Sequence, residues 1–168
     1  MTKITEFMRT DVHSVHENTS FETLMCQDIC NIADHVYVLD RDNHPVGLIT
    51  TLELLKALVP PYLNSHLAQM LPEDQRLNEK CYEHARHLTA RDVMSTDLPL
   101  ISIHDSFLRA STMVLDTAAN ALPVVDEHGR LLGEMTRCDL VRYLGSNFCP
   151  LPDLRGTEGE QDGQARVH

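Results

Sequence analysis

The 168-residue sequence has no apolar stretch long enough to cross a lipid bilayer, and residues 1–6 do not form a signal peptide. These absences predict a cytoplasmic protein without a membrane partner. Positive charge is also scarce, because 14 Lys and Arg face 25 Asp and Glu, for a formal net charge of -11. Such a charge repels phosphate backbones, so we expect no nucleic-acid partner, although local groups can still hold a small anion.

Cysteines are few and odd in number, five in all, and their spacing is not that of a disulfide framework, which fits a reducing compartment. Cys26 and Cys30 lie one helical turn apart on an apolar helix face and read as core thiols. Histidines, by contrast, are many: ten of them make the net charge sensitive to pH between about 6 and 7.

Catalytic motifs are missing as well. The sequence has no supported Ser-His-Asp or Cys-His arrangement and no glycine-rich phosphate loop, since Gly47 and Gly133 are isolated strand glycines. Cys81, His84 and His87 at helical spacing offer three zinc ligands without a fourth, which favours a structural surface helix over a metal site. We therefore predict no enzyme, no metal site and no required cofactor.

The sequence does contain an internal repeat with an offset of 86 residues and no gap. Of the 55 positions from Ile4 to Leu58, 12 are identical to their counterparts, against roughly 3 or 4 expected by chance. Two copies suggest a closed pair rather than a solenoid, and the seam of such a pair is a place for small ligands. Each copy of about 55 residues is marginal alone, so the two should fold as a unit.

Each copy has the same order of elements, β-α-β-β-α. Apolar stripes predict helices at 20–32 and 106–118, both after a serine N-cap, and at 50–58 and 136–144. Short apolar runs predict strands at 12–15, 36–39 and 46–49, with counterparts at 98–101, 122–125 and 131–135. The fold class is therefore α+β.

The rest of the chain divides into a linker and a tail. We place the first repeat at 1–59, a linker at 60–89 with helices over 62–71 and 73–87, and the second repeat at 90–149. Residues 150–168 are rich in Pro, Gly and acidic side chains and are predicted to be mostly disordered.

The ordered motifs of both copies resemble the cystathionine β-synthase (CBS) domain family. The second copy carries an apolar strand ending in Asp126, then Gly133, Thr136 and Asp139 in the pattern apolar-Gly-x-apolar-Thr followed by an acid. The first copy repeats the pattern, and both open with Met, Thr and Asp. The resemblance implies a Bateman module, in which two repeats pack sheet to sheet and two clefts between them bind adenosine-containing ligands. It also implies a homodimer and a sensor that acts on a partner protein rather than a catalyst.

The resemblance assigns residues to each cleft. It implies that the first cleft joins Thr136, Arg137 and Asp139 to Ser14, His35 and Val36, with a phosphate or ribose contact at Thr136 and a ribose contact at Asp139. A second, weaker cleft joins Thr50 and Glu53 to Leu100, Ala121 and Leu122, because Leu100 lacks a hydroxyl and Glu53 replaces the usual Asp.

Two alternatives stay open at these positions. A Thr-x-x-acid motif at a helix start is also a capping box, and Thr50 with Glu53 reads as mainly structural. His35 fits a base-binding role or a strand-capping role equally well.

The function that follows is a regulatory module binding AMP, ADP, ATP or an S-adenosyl compound and signalling to a partner protein of unknown identity. The alternative is a ligand-independent interaction scaffold with empty clefts. For a homodimer, the apolar helix faces to be buried are those of Leu54, Leu55, Leu58, Leu140, Val141 and Leu144.

Overall fold

The computed structural model describes residues 3–27, 34–72, 75–146 and 148. In chain order the described elements are a short 3-10 helix at Ile4–Glu6, β1 (Ser14–His16), α1 (Phe21–Cys26), β2 (His35–Leu39), β3 (Pro45–Thr50), α2 (Thr51–Leu58), α3 (Ser65–Met70), α4 (Gln75–Ala85), α5 (Ala90–Val93), β4 (Ile101–Ser102), α6 (Phe107–Thr117), β5 (Ala121–Val125), β6 (Leu131–Thr136) and α7 (Arg137–Gly145).

The two repeats form two three-stranded sheets of the same topology, β1-β2-β3 and β4-β5-β6. In each sheet the first strand runs parallel to the second and the second antiparallel to the third. Matching registers, such as Tyr37 opposite Leu48 and Pro123 opposite Glu134, keep the two sheets superposable by the 86-residue offset. The predicted α+β class and the β-α-β-β-α unit are confirmed.

Local sequence explains where the helices begin. The hydroxyl oxygens of Ser20 and Ser106 accept the backbone N–H groups three residues on, at 3.2 and 3.1 Å, so α1 and α6 start where the serine caps predict. Helix α1 ends at Cys26, and residues 28–32 of the predicted helix lie outside the described residues. Cys26 is exposed on this last turn, so the expectation of a core thiol there is wrong.

The first segment of each repeat packs against the other repeat. Ile4, Phe7 and Met8 belong to the core of the second repeat, whereas Ala90, Val93 and Met94 belong to the core of the first. The crossing is fixed by main-chain pairing of Arg9 with Glu134 and of Ser95 with Leu48, at 2.8–2.9 Å. Because each core is completed by the other half, neither repeat has a complete core of its own.

The linker contains two helices, shorter than the sequence predicts. Helix α3 begins after Asn64, whose side-chain oxygen accepts the Leu67 N–H at 2.8 Å, rather than at Tyr62. Helix α4 lies against the first repeat, with Ala85 fully buried and Leu88 packed on the same core. Positions 73 and 74 of the second predicted linker helix lie outside the described residues.

The apolar surface is smaller than the sequence suggested. Leu54 and Leu140 are 7% and 4% exposed and lie in the two cores, so they are not free for a dimer interface, and Leu58 packs partly on the first core. Leu55 and Val141 remain exposed, as does Leu144.

The predicted tail, 150–168, lies outside the described residues. Among the helices of the described residues, none combines the length and apolarity that a membrane crossing requires.

Candidate functional site

A cavity of about 320 Å³ lies between the two repeats, on the side of the cleft that contains Thr50. This volume is at the lower end of that typical for small-molecule sites. It is lined by Asp34, His35, Tyr37, Leu48 and Thr50 of the first repeat and by Asp97, Leu98, Pro99, Thr117, Ala118, Ala119, Asn120 and Ala121 of the second. Apolar walls with a few convergent polar groups are the usual make-up of a ligand pocket.

Thr50 forms the start of α2 in this cavity and is held by Glu53. The Glu53 carboxylate accepts the Thr50 N–H at 2.9 Å and the Thr50 hydroxyl, while the Leu52 N–H donates to the hydroxyl oxygen at 3.2 Å. Burial raises the pKa of Glu53, but these hydrogen bonds outweigh it and the pKa is lowered. The capping box expected for Thr50 and Glu53 is therefore present.

The opposite wall is fixed by Arg137. Its guanidinium donates to the carbonyl oxygens of Ala118 and Ala119, to Ala119 at 2.8 Å. Ala118 is in the left-handed region with φ 55° and closes α6, so these hydrogen bonds hold an unusual backbone conformation in place. Arg137, expected in the first cleft, instead braces the wall of the cavity beside Thr50.

In the first cleft, Asp139 is buried and already surrounded by donors. Its carboxylate accepts the N–H and the hydroxyl of Thr136 at 2.9 and 2.6 Å, which makes a second capping box. It also pairs with Arg9 at 3.3 Å and Arg142 at 3.2 Å, and its side chain is only 3% exposed. A ribose hydroxyl would have to compete with these four partners.

A buried carboxylate, Glu134, joins the two sheets beside Thr136. The Glu134 Oε2 atom accepts the His35 Nε2–H at 2.6 Å and the Tyr37 hydroxyl at 2.8 Å. Burial raises the pKa of Glu134, but the hydrogen bonds from His35 and Tyr37 and the nearby Arg9 charge lower it overall. Burial and the same carboxylate raise the pKa of Tyr37 far above its usual value. Glu134 is thus an anion that links the second repeat to the first.

The other predicted site residues are dispersed. The side chains of Val36 and Leu122 are buried in the two cores, so their backbone groups are the parts that can face a ligand. Ser14 is exposed on β1, Leu100 is 40% exposed, and Ala121 lines the cavity. His35 lines the same cavity and hydrogen-bonds Glu134, so it joins both clefts.

Sequence analysis missed Glu134, Tyr37, Arg9 and Asp97. A signal for Glu134 was present, because its counterpart 86 residues earlier is the apolar Leu48 and its strand neighbours are apolar. A charged residue at such a position needs a partner from another element.

The structure also brings Asp40, Asp42 and His44 within 4.8 Å of one another, which could hold a metal ion. Hydrogen bonds explain the cluster without one, since Asp40 accepts the N–H groups of Asp42 and His44 at 2.8 and 2.9 Å. In the second repeat, Arg130 takes the place of His44 on Asp126. The shared feature is therefore closure of the β2–β3 turn and its counterpart.

Comparison with known proteins assigns the class. The family model of the CBS domain matches residues 4–60 and 90–146, more than half of the chain, so the chain belongs to the CBS domain family and carries two such domains in tandem. A CBS domain-containing protein of Dictyostelium discoideum is 26% identical over 149 residues, covering 89% of this chain and 95% of the relative.

Two solved structures are similar in fold. CBSX2 in complex with AMP has a TM-score of 0.61 and 24% identity, covering 86% of this chain and 96% of that chain; CBSX2 is also solved from Arabidopsis thaliana. The cytosolic domain of the Mg²⁺ channel MgtE in complex with ATP has a TM-score of 0.60 and 16% identity, covering 84% of this chain and 48% of that chain. At these identities the likeness shows the fold.

Proposed function

We propose that this CBS pair is a regulatory module that binds one adenosine-containing ligand in the cavity beside Thr50 and signals to a partner protein. The observation that carries the proposal is the cavity itself, which is built from both repeats. A ligand held there contacts both sheets at once, so its binding free energy depends on how the repeats are oriented. Supporting this, the similar CBS structures include complexes with AMP and ATP.

This placement differs from the expectation that the cleft of Asp139 dominates. In the cavity, ribose hydroxyls can meet the carboxylates of Asp34 and Asp97, and the apolar walls can pack on adenine. In the first cleft the Asp139 oxygens are already engaged by Thr136, Arg9 and Arg142. We therefore propose Thr50 and Asp97 as ligand contacts in place of Thr136 and Asp139.

The charge of the cavity wall bears on the ligand. Two carboxylates line it, and no lysine or arginine is among the lining residues of the described chain. Negative side chains disfavour a polyphosphate and favour a ligand with little negative charge or a positive one. We expect affinity to fall from S-adenosylmethionine, whose sulfonium is cationic, through adenosine and AMP to ATP.

The second candidate is a scaffold that needs no ligand. It is favoured by exposed apolar residues on α6, where Leu108 and Leu115 are 74% and 80% exposed, and by the fact that both capping boxes are complete without one. A partner protein could cover these leucines with the cavity empty.

A thermal-shift series separates the two functions. At 100 times its dissociation constant, a bound ligand should stabilise the fold by about 2.7 kcal/mol. Titration calorimetry then compares Asp97→Asn with Asp11→Asn, which is the matched position in the other repeat. We expect Asp97→Asn to weaken S-adenosylmethionine about tenfold, the effect of about 1.4 kcal/mol, and Asp11→Asn to leave it unchanged. Absence of any shift with S-adenosylmethionine, adenosine, AMP, ADP, ATP and NADH would favour the scaffold.

A further inference from the structure

We infer that Glu134 closes the first cleft from within, so that each chain binds a single ligand equivalent. The inference rests on the proposed function, because it concerns how many of the two clefts can accept that ligand. It starts from the internal repeat, which provides each cleft with a matched control in the other half of the same molecule. The strands that face the two clefts have matching register and differ in their side chains.

The contacts of Glu134 place its carboxylate at the boundary between the repeats. One oxygen, Oε2, receives His35 at 2.6 Å and Tyr37 at 2.8 Å, both from β2 of the first repeat. The residue is 8% exposed, and its own N–H and carbonyl groups pair with Arg9 at 2.8 Å. Short bonds of this type to a carboxylate are stronger than neutral ones, so a ligand must replace them to enter.

Three matched positions show the difference in bulk and charge. Where the first cleft has Glu134, the second has Leu48. His35, which hydrogen-bonds Glu134 and also lines the second cleft, is matched to Ala121. Leu48 and Ala121 both line the cavity. The third position is Arg9, whose counterpart is Ser95. Larger, charged and mutually bonded side chains thus stand in the first cleft where small or apolar ones leave space in the second.

The state of Asp139 points the same way. The Asp139 side chain, matched to Glu53 in the other repeat, is 3% exposed. It is covered by Arg9, which reaches it from the segment that crosses between the repeats. Because a serine at the Arg9 position could not reach so far, this cover is specific to the first cleft. An anionic ligand would meet the Glu134 carboxylate, and a neutral one would find the acceptor on Asp139 already used.

The test is the stoichiometry of binding in titration calorimetry, with adenosine and S-adenosylmethionine as probes. The variants are Glu134→Gln, which removes the charge and keeps an oxygen acceptor for His35 and Tyr37, and the double variant Arg9→Ser/Glu134→Leu, which gives these two positions of the first cleft the residues of the second. Glu127→Gln is the control, because it removes the same charge from the same repeat at an exposed residue that pairs with His104 at 3.1 Å. Circular dichroism confirms that each variant is folded.

We expect one equivalent of probe per chain in the unaltered protein and in Glu127→Gln, and two in the double variant. Glu134→Gln should bind the second equivalent more weakly than the double variant does, because it keeps the bulk of the side chain. Two equivalents in the unaltered protein would overturn the inference alone, as would a folded double variant that still binds one. No binding of either probe to any variant would overturn the proposed function and this inference with it.

Discussion

Substitution of Gly133 by alanine tests the crossing of the two repeats. Gly133 lies on β6 next to Glu134, where the chain segment of Arg9 passes over the strand. A Cβ atom at Gly133 would overlap the carbonyl oxygen of Arg9 and lie 3.3 Å from Met8 Sδ. The Arg9 carbonyl oxygen belongs to a backbone segment whose N–H and carbonyl groups are both hydrogen-bonded to Glu134. It therefore cannot rotate away as a side chain can.

The expected cost follows from three effects. Overpacking of a filled site typically costs about 1–3 kcal/mol. Strain on the two main-chain hydrogen bonds between Arg9 and Glu134 adds about 1 kcal/mol, and the loss of glycine flexibility in the unfolded chain returns about 0.5–1 kcal/mol. Gly133→Ala should therefore lower the free energy of unfolding by about 1–3 kcal/mol. At about 2–4 °C per kcal/mol for a chain of this size, the Tm falls by about 2–12 °C.

Urea and thermal unfolding, followed by far-ultraviolet circular dichroism, measure this change. Two other glycines serve for comparison. A Cβ at Gly145, the last residue of α7, meets nothing within 4 Å, so Gly145→Ala should be neutral or slightly stabilising. At Gly47 it would overlap the Met94 side chain as far back as its Cβ, 2.9 Å away, which a rotamer change does not move, so Gly47→Ala should also lower the free energy of unfolding. Equal stability of Gly133→Ala and Gly145→Ala would refute the crossing of Arg9 over β6.

Further predictions concern the caps, a histidine, the tail and assembly. Glu53→Ala should lower the free energy of unfolding by about 1 kcal/mol through the lost cap. Asp139→Ala should lower it by about 2 kcal/mol, because its pairs with Arg9 and Arg142 are also lost. Urea unfolding measures both variants, and a larger loss for Glu53→Ala than for Asp139→Ala would contradict these contacts. The hydrogen bond to Asp40, then that to the His128 carbonyl, raises the pKa of His44. The charged His44 side chain therefore contributes its full stabilisation below about pH 6.5, and this stabilisation is lost as pH rises through the raised pKa of the folded state. The free energy of unfolding of His44→Gln, measured against pH, should lack this loss. An unchanged pH profile would exclude the His44–Asp40 pair as the source. Deletion of residues 150–168 should leave the Tm and the affinity for S-adenosylmethionine unchanged, and a large fall in Tm would show that this segment docks. Light scattering at micromolar concentration should give twice the chain mass, since Leu55 and Val141 are 56% and 70% exposed; a monomer mass would exclude the homodimer.

The element order was predictable because it depends on local signals. Ser20 and Ser106 cap helices through contacts three residues away, and short apolar runs placed β2, β3, β5 and β6 to within a residue or two. The capping-box reading of Thr50 and Glu53 depends on four adjacent residues and was equally accessible. Helix ends were less predictable, as α3 shows, because the choice of Asn64 over an earlier start depends on which cap forms.

The sequence by itself determined the repeat, its offset of 86 residues, the two similar sheets and the family. Only the tertiary structure decided which side chains each cleft brings together. That outcome depends on Glu134 meeting His35 and Tyr37, 99 and 97 residues away, and on Arg9 reaching Asp139 from the opposite end of the chain. Short motifs report contacts within a few residues, whereas the burial of a charge is settled by whichever distant side chains the packing of two sheets brings to it.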